Sequence, residues 1–285
     1  MLSRRRFLAA SSVAVAGSAF TTACDSEKES DEKEGTDLPP AIKALTSMKA
    51  QATPITTQER IARIERARTL MRANGIDVLM LTGGTSMDYF TGIRWGVSER
   101  LLAAMIPVKG NAFLVTPKFE EERAMEQAHL GPLGKDAEVY AWEEDESPYA
   151  LIAKGLKARG LSTATIGAEE TVRFVFADNA AHLPSVKIVS GTPVTAGCRM
   201  VKDAHEIALI RLACQVTLKA YGAAWNSLKP GMWQDDFSNL VSLAHKQLGF
   251  SGSAGVQVGK YSALPHGSAT PQQIVEGSIL LIDGG

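Results

Sequence analysis

Apolar residues recur at helical spacing shortly before residue 75. They lie three or four positions apart, at Ile61, Ile64, Ala67, Leu70 and Met71. This spacing predicts a helix that begins near residue 57, and the Asn74-Gly75 pair is its stop signal.

The chain then alternates between short apolar runs and helical patterns. The runs that predict strands read DVLMLT, LLAAMIPV, AFLVTP, AEVYAW, TATIGAE and VKIVSG. Lys109-Gly110-Asn111 separates two of them as a hairpin signal, whereas KFEEERAMEQAH and PYALIAKGLKARG predict helices that cross between strands. The stretch TSMDYFTGI is interpreted as a turn and short loop. Since hairpins and crossover helices both occur, we predict an α/β domain with a mixed sheet at residues 57 to 198.

A different pattern begins near residue 199. A long amphipathic helix is predicted from its apolar positions, which are Ile207, Ile210, Leu218, Tyr221 and Trp225. A second helix is predicted from about Gln234 to Leu248, and residues 279 to 282 are predicted to form a short buried strand with Asp283 at its end. Four aromatic side chains are interpreted as core, namely Trp225, Trp233, Phe237 and Phe250. Residues 199 to 285 therefore predict the beginning of a second, α+β domain.

Composition and charge describe an ordinary globular protein with a basic start. The 285 residues are 45% apolar, which is enough to bury a large core. Three arginines, residues 4 to 6, are the only charges before residue 24, and without them 27 basic residues face 31 acidic ones. The net charge of that remainder is −4, so no nucleic-acid partner is expected, because such binding relies on a basic face.

The first 23 residues have the organisation of an export signal. SRRRFL precedes AASSVAVAGSAFTTA, which gives a basic region followed by a small-residue run. The run is too weakly apolar to hold a helix in hydrocarbon. The segment resembles a twin-arginine signal in which Arg4 and Arg5 form the pair. We therefore predict export to the periplasm or cell envelope.

Cys24 ends that run and begins an acidic segment. Of the 13 residues from 25 to 37, 7 are acidic and 2 are basic, a composition that cannot form a core. We predict a disordered tether over residues 24 to 56. The sequence before it resembles a bacterial lipoprotein signal, which implies a lipid on Cys24 and membrane attachment through that lipid. Thr21 departs from that pattern, and cleavage near Ala19 without lipidation is the alternative.

The remaining cysteines and most histidines are interpreted as structural. Cys198 and Cys214 lack the spacing of a metal site and are predicted to be buried free thiols. Four histidines have no candidate ligand at a suitable spacing and receive the same interpretation, namely His129, His182, His205 and His245.

Several segments together resemble a known family. RMVKDAHEIALIRLACQVT, LKPGM, LPHG and VEGSILLIDGG are similar, in order and spacing, to the first half of the catalytic domain of aminopeptidase P and prolidase. These are creatinase-like, or pita-bread, metallopeptidases. VLMLTGGTSMDYFTGI resembles the first strand and loop of that family's N-terminal domain. The resemblance implies a creatinase-type N-terminal domain at 57 to 198, followed by an incomplete pita-bread domain at 199 to 285.

The resemblance also implies roles for two residues. Peptidases of this family hold a pair of divalent ions, such as manganese, cobalt or zinc, with two aspartates, one histidine and two glutamates. Asp283 matches the first aspartate, and His266 matches a histidine that contacts substrate without binding metal. The other four ligands have no counterpart in the 285 residues. We therefore expect the chain to be part of a longer peptidase, unable by itself to hold the ion pair.

Three functions follow as hypotheses. The first is hydrolysis of Xaa-Pro bonds in proline-containing peptides, by an aminopeptidase or dipeptidase that is a homodimer when complete, with this chain inactive alone. The second is a metal-free creatinase-type hydrolase of amidine compounds, which Asp283 disfavours because that type loses the metal ligands. The third is a peptide-binding module without catalysis.

Overall fold

A computed structural model describes residues 38 to 285. The predicted signal and lipidation residues, Arg4, Arg5 and Cys24, lie outside the described residues. The helices are α1 (Pro40–Lys43), α2 (Thr57–Ala73), α3 (Thr85–Thr91), α4 (Glu121–Leu130), α5 (Pro148–Ala158), α6 (Phe174–Ala181), α7 (Thr192–Arg199), α8 (Ala204–Trp225) and α9 (Gln234–Gln247). The strands are β1 (Val78–Thr82), β2 (Ala103–Pro107), β3 (Phe113–Pro117), β4 (Glu138–Trp142), β5 (Ala164–Ala168), β6 (Val186–Ser190), β7 (Ala254–Val258) and β8 (Leu280–Gly284).

The first six strands form one mixed sheet, as predicted. Their order is β4-β3-β2-β1-β5-β6, in which β1, β2 and β3 pair antiparallel and the other neighbours pair parallel. The hairpin between β2 and β3 turns at Gly110, whose φ of 85° is the left-handed conformation that favours glycine.

Helices cover both faces of this sheet. Along β1, Leu79 and Leu81 face one side and pack with apolar residues of α2, α3, α4 and α7, whereas Val78 and Met80 face α5 and α6. Because successive strand side chains point to opposite faces, a strand buried on both sides is continuously apolar. This explains why VLMLT carries no alternating pattern.

Capping boxes start the two long helices. At α2, the Thr56 amide donates to the Glu59 carboxylate (2.7 Å) and the Glu59 amide donates to the Thr56 hydroxyl (3.2 Å). At α8, Asp203 and Glu206 exchange the equivalent bonds, at 2.8 and 2.9 Å. These bonds satisfy amides that have no partner within the helix, and they fix where each helix begins.

A smaller unit follows, in which α8 and α9 pack together with the β7–β8 hairpin. Among the described helices, α8 alone is long and apolar enough to cross a membrane by length and composition, with 28% of its apolar window buried. That criterion is weak evidence, since core helices also satisfy it. Here α8 packs against α1 and α9 as a helix of the folded unit.

The prediction of a buried strand at residues 279 to 282 is wrong. β8 spans Leu280–Gly284, pairs with β7 alone among the described residues, and leaves Ile279 67% and Leu281 39% exposed. A continuously apolar run predicts burial on both faces, but only one face of this hairpin is covered.

The interpretation of TSMDYFTGI as a loop is also wrong. Residues 85 to 91 form α3, which ends at Gly92 with a φ of 79°. Glycine and threonine suggested a turn, yet Met87 and Phe90 are fully buried against the sheet and stabilise a helix there.

The predicted tether extends too far towards the C-terminus. Within residues 38 to 56 the structure has α1 and a 3₁₀ helix, Lys49–Gln51. Ile42 is fully buried beside α8 and α9, and the Met48 amide donates to the carbonyl of Leu248 at 2.8 Å. The acidic composition ends at Asp37, and the apolar residues beyond it supply the contacts that a disordered segment lacks.

Two predictions of burial near α8 fail in part. Cys198 is buried and Cys214 is exposed, both as free thiols. Phe237 is fully buried and Phe250 is partly buried, whereas Trp225 and Trp233 are 57% and 48% exposed. The helical pattern identifies an apolar face but not what covers it.

Candidate functional site

The β7–β8 hairpin has one covered face and one open face. Ala254, Val256 and Val258 are buried, and β7 contacts α9. Alternation along the strands therefore places Gly255 and Gln257 of β7 on the opposite face. In the antiparallel register Gly255 lies opposite Asp283, and Gln257 lies opposite Leu281.

Asp283 is exposed on this open face. The ladder holds its backbone while its carboxylate faces solvent. The pKa of the Tyr221 phenol on α8 is raised, first by burial and second by the negative charge of the nearby Asp283 carboxylate. The Tyr221 hydroxyl is buried without a hydrogen-bond partner among the described residues.

His266 lies in the loop that follows the 3₁₀ helix Gly259–Ala263. The side-chain amide of Gln257 holds this loop: in the orientation that satisfies its neighbours, it donates to the carbonyls of Tyr261 (2.6 Å) and Leu264 (3.1 Å) and accepts from the Gly267 amide (3.3 Å). Gly267 has a φ of 77°, which favours glycine beside the histidine. The loop is thus attached to the face that carries Asp283.

A cleft of about 250 Å³ lies beside this loop. His266 lines it together with Gln234, Asp235, Ser238, Gln257, Gln272 and the backbone around Gly255. Asp283 is not among its lining residues, although it pairs with Gly255, which is. The structure therefore links the His266 loop, through Gln257, to the face of the hairpin that carries Asp283, but it does not place the two predicted site residues in one cavity.

Sequence reasoning missed two glutamines that build this site. Besides Gln257, Gln272 is 97% buried: its Oε1 accepts from the Val258 amide at 2.6 Å and its Nε2 donates to the Thr270 carbonyl at 3.3 Å. The only sequence signal is an amide residue between the valines of VQV, which marks a side chain on the open face.

The described residues do not make a complete metal site. None of their histidines, cysteines, aspartates and glutamates gather in a group of three or more that could hold an ion. A divalent ion needs several such ligands to offset its dehydration. Asp283 is a single carboxylate, and the rest of a ligand set is not found in residues 38 to 285.

His205 has partners that its sequence position did not suggest. Its Nδ1 lies 2.6 Å from the Glu59 carboxylate, and its Nε2 lies 3.0 Å from the carbonyl of Thr53. With an acceptor at each nitrogen, the pKa of His205 is raised, chiefly by Glu59. Hydrogen bonds from Thr56 and then from His205 lower the pKa of Glu59 to about 2. The pair ties α8 to α2.

His245 of α9 is 99% buried and packs in the interior of the fold. Its Nδ1 lies 2.9 Å from the Val241 carbonyl, and its Nε2 lies 3.4 Å from the Thr217 hydroxyl. Gly252 approaches the ring so closely that a β-carbon there would lie 2.4 Å from it. The tight packing leaves no room for a ligand.

Family comparison assigns the class of protein. Residues 63–201 match the Creatinase/Prolidase N-terminal domain, and residues 208–285 match the Metallopeptidase family M24. The two matches follow each other along the chain and cover the mixed sheet and the smaller unit in turn. The chain belongs to the creatinase- and prolidase-like M24B peptidases.

Curated relatives agree with this assignment. An uncharacterized peptidase of Schizosaccharomyces pombe is 26% identical over 262 residues, which are 86% of this chain and 56% of the relative. The Xaa-Pro dipeptidase of Pyrococcus furiosus is 27% identical over 228 residues, 78% of this chain and 60% of the relative. The chain thus spans less than two thirds of the length of these relatives.

Solved structures show the same fold. Dipeptidase PepE from Mycobacterium ulcerans superposes with a TM-score of 0.72 at 24% identity, covering 82% of this chain and 62% of its own. The dipeptidase of Pyrococcus horikoshii OT3 gives a TM-score of 0.66 at 23% identity, covering 78% and 61%. The mixed-sheet domain is of the creatinase N-terminal type, and the two domains together match part of a pita-bread peptidase fold.

Proposed function

We propose that the protein to which these residues belong hydrolyses Xaa-Pro bonds in proline-containing peptides. The observation that carries this proposal is the open face of the β7–β8 hairpin, which carries Asp283 and holds the His266 loop through Gln257, within the segment that matches the M24 family. The Xaa-Pro dipeptidases among the relatives support the choice of substrate.

The family implies a divalent metal pair in general. We propose that Asp283 is one ligand of that pair, with manganese, cobalt or zinc as the metal, and that His266 contacts the substrate. Both side chains are exposed, so each is accessible to a ligand. Since the other ligands are not among the described residues, the 285-residue chain alone is expected neither to hold the pair nor to cleave Xaa-Pro peptides.

A chimera tests the function. Residues 38 to 285 would be joined to the part of the Pyrococcus furiosus Xaa-Pro dipeptidase that the match does not cover. We expect metal-dependent hydrolysis of Ala-Pro but not of Ala-Ala, abolished by Asp283→Ala and reduced by His266→Ala. Glu276→Ala removes an exposed carboxylate of the same segment that does not line the His266 cleft, and it serves as the matched control.

Several results would contradict the proposal. A chimera that folds by circular dichroism yet cleaves Ala-Ala as readily as Ala-Pro argues against proline specificity. Full activity of the Asp283→Ala variant argues against its ligand role. Metal-dependent Xaa-Pro cleavage by the 285-residue chain itself would show ligands that we have not identified.

The source DNA offers a second test of the proposed ligand set. Translating all three reading frames after codon 285 shows whether an aspartate, a histidine and two glutamates are encoded there.

A second candidate is a peptide-binding module without catalysis. It is favoured by the lack of a three-ligand group among residues 38 to 285. Saturable binding of Ala-Pro-Ala by the 285-residue chain without metal, lost in His266→Ala, would support it. The creatinase-type alternative is disfavoured because Asp283 keeps a carboxylate at the ligand position.

We further propose that the protein is exported by the twin-arginine route, carries a lipid on Cys24, and resides at the periplasmic or envelope side of a membrane. The Arg4-Arg5 pair, the small-residue run and the cysteine at its end support this placement. We also propose a homodimer for the whole protein, on the family resemblance alone.

A further inference from the structure

A second, larger cleft lies beside the N-terminal part of α8. Its volume is about 560 Å³, within the range of small-molecule sites, and its walls come from residues 52 to 55, α2, α3 and the start of α8. None of its lining residues lines the His266 cleft. It is therefore separate from the site proposed above.

Positive charge exceeds negative charge in this cleft. Two carboxylates and four cations line it: Asp88, Glu206, Arg60, Arg63, Arg94 and Lys202. Asp88 pairs with both Arg60 (3.0 Å) and Arg94 (3.2 Å), and Glu206 pairs with Arg63 (2.9 Å). The ion pairs of the described residues leave Lys202 without a carboxylate, since it donates to the Arg199 carbonyl. The cleft thus has an excess of two positive charges.

The cations divide into fixed and accessible ones. The Arg63 side chain is only 9% exposed, donates to the Tyr89 carbonyl at 3.1 Å and stacks 4.0 Å over the Tyr89 ring. Its Nε is buried without a hydrogen-bond partner among the described residues, although the guanidinium is paired with Glu206. Arg94 is 82% exposed and Lys202 is exposed, so these two can reach a ligand.

The rest of the wall is apolar. Pro54, Ile55, Leu209 and Ile210 line the cleft, and Ile210 is 49% exposed. The segment that carries Pro54 and Ile55 is held in place, because His205 bonds to the carbonyl of Thr53. A surface that combines excess cations with fixed aliphatic walls favours an anion with an apolar body.

We propose that this cleft binds a small carboxylate with an aliphatic body, of the kind presented by the free C-terminus of a short apolar peptide. Arg94 and Lys202 bind the carboxylate, the excess positive charge of the cleft attracts it, and the apolar walls cover the aliphatic side chains. The same chemistry is shared by a medium-chain fatty acid, which the experiment distinguishes.

Calorimetric titration of the 285-residue chain at low salt tests this site. The probes are N-acetyl-Leu-Leu with a free carboxylate, its C-terminal amide, and octanoate. We expect the acid to bind about tenfold more tightly than the amide, because the amide lacks the charge that the cations recognise. These probes contain no proline and no free amine, and the cleft is distant in sequence from Asp283, so the result is independent of the proposed peptidase function.

Matched variants locate the binding. Arg94→Gln combined with Lys202→Gln should lower the affinity for the acid about tenfold and leave the affinity for the amide unchanged. Arg72→Gln combined with Lys157→Gln removes the same charge from exposed positions outside the cleft and should change neither affinity. All changed side chains are exposed, and melting curves verify that each variant is folded.

The outcomes are decisive in both directions. Tighter binding of the dipeptide than of octanoate identifies a peptide terminus, and the reverse order identifies a fatty acid; both support the carboxylate site. Equal affinity for acid and amide overturns the proposal, as does an undiminished affinity of the Arg94/Lys202 variant. Absence of saturable binding by both acids overturns it too.

Discussion

The side chain of Gln257 bonds to the backbone of Gly267 and so fixes the loop that carries His266 to the strand beside Asp283. A polar side chain on an open strand face thereby organises the candidate site. Neither residue bears the chemistry itself. The relation joins the two positions that the family resemblance identifies separately.

The first prediction concerns this loop. Gln257→Leu removes three hydrogen bonds, and we expect a loss of about 1 kcal/mol of unfolding free energy, together with faster hydrogen exchange at the Gly267 amide. Denaturant unfolding and exchange mass spectrometry measure the two effects. Gln215→Leu, at an exposed position of α8, is the control. Unchanged exchange at Gly267 would show that the loop is held by other contacts.

The second prediction is a pH dependence that originates at His205. Its folded pKa is raised by Glu59 first and also by Asp203, so its contribution to stability is complete below the unfolded value, about 6.5, and is lost as pH rises through the folded value. We expect His205→Gln to lower the free energy of unfolding at pH 5.5. The difference between the free energies of unfolding at pH 5.5 and pH 9 should therefore be smaller in the variant than in the wild type. Urea unfolding measures this.

The exposed His182, whose ring contacts the Asp178 carbonyl, provides the control variant His182→Gln.

The carboxylate of Glu59 makes stability depend on pH in the acid range. Its folded pKa of about 2 gives stability above the unfolded value of 4.5, which is lost as pH falls towards 2. An identical pH profile of wild type and His205→Gln would disprove the coupling.

The third prediction tests the order of residues 38 to 56. Ile42 is fully buried, so Ile42→Ala should cost about 2 to 4 kcal/mol of unfolding free energy through lost burial and an added cavity. Thr46→Ala changes an exposed neighbour and should have little effect. Calorimetric melting compares the two. If Ile42→Ala melts like wild type, this segment does not pack on α8 and α9.

Export is the fourth prediction. Replacing Arg4 and Arg5 by lysine should leave the precursor in the cytoplasm, because the twin-arginine route reads the arginine pair rather than its charge. Cell fractionation and immunoblotting measure this. Replacing Arg6 by lysine is the control. Normal export of the double variant would refute this route.

Lipidation is the fifth prediction and is separate from export. Cys24→Ala should move the protein from the membrane fraction to the soluble fraction, since the thiol that bears the lipid is gone. Metabolic labelling with a palmitate analogue gives an independent measurement, with Cys214→Ala as the control. A membrane fraction unchanged by Cys24→Ala would rule out this anchor.

The mixed sheet could be predicted from the sequence because its signals are local. The run VLMLT is apolar throughout, and Gly110 marks the hairpin between two such runs. The helix at Thr85–Thr91 could not, since its sequence is rich in turn residues and it is stabilised by packing of Met87 and Phe90 on a sheet formed by distant residues. Local propensity gives way to tertiary burial there.

For the candidate site, the sequence supplied Asp283 and His266 by resemblance but not their placement. Whether Gln257, which holds the His266 loop, shares a face with Asp283 depends on the register of β7 against β8, and a shift of one position would reverse it. The glutamines that hold the loop have no motif. The exposure of Trp225 and Trp233 likewise depends on which helix face is covered, which the apolar pattern leaves open.

The outer edge of β8 has a practical consequence for handling the chain. Among the described residues, that edge has no strand partner, and Ile279 and Leu281 stand exposed beside it. Unpaired backbone amides and carbonyls next to aliphatic side chains form a template on which another extended chain can add as a strand. The purified protein should accordingly self-associate as its concentration rises. The substitution Leu281→Lys places a charge on that surface and should reduce this self-association.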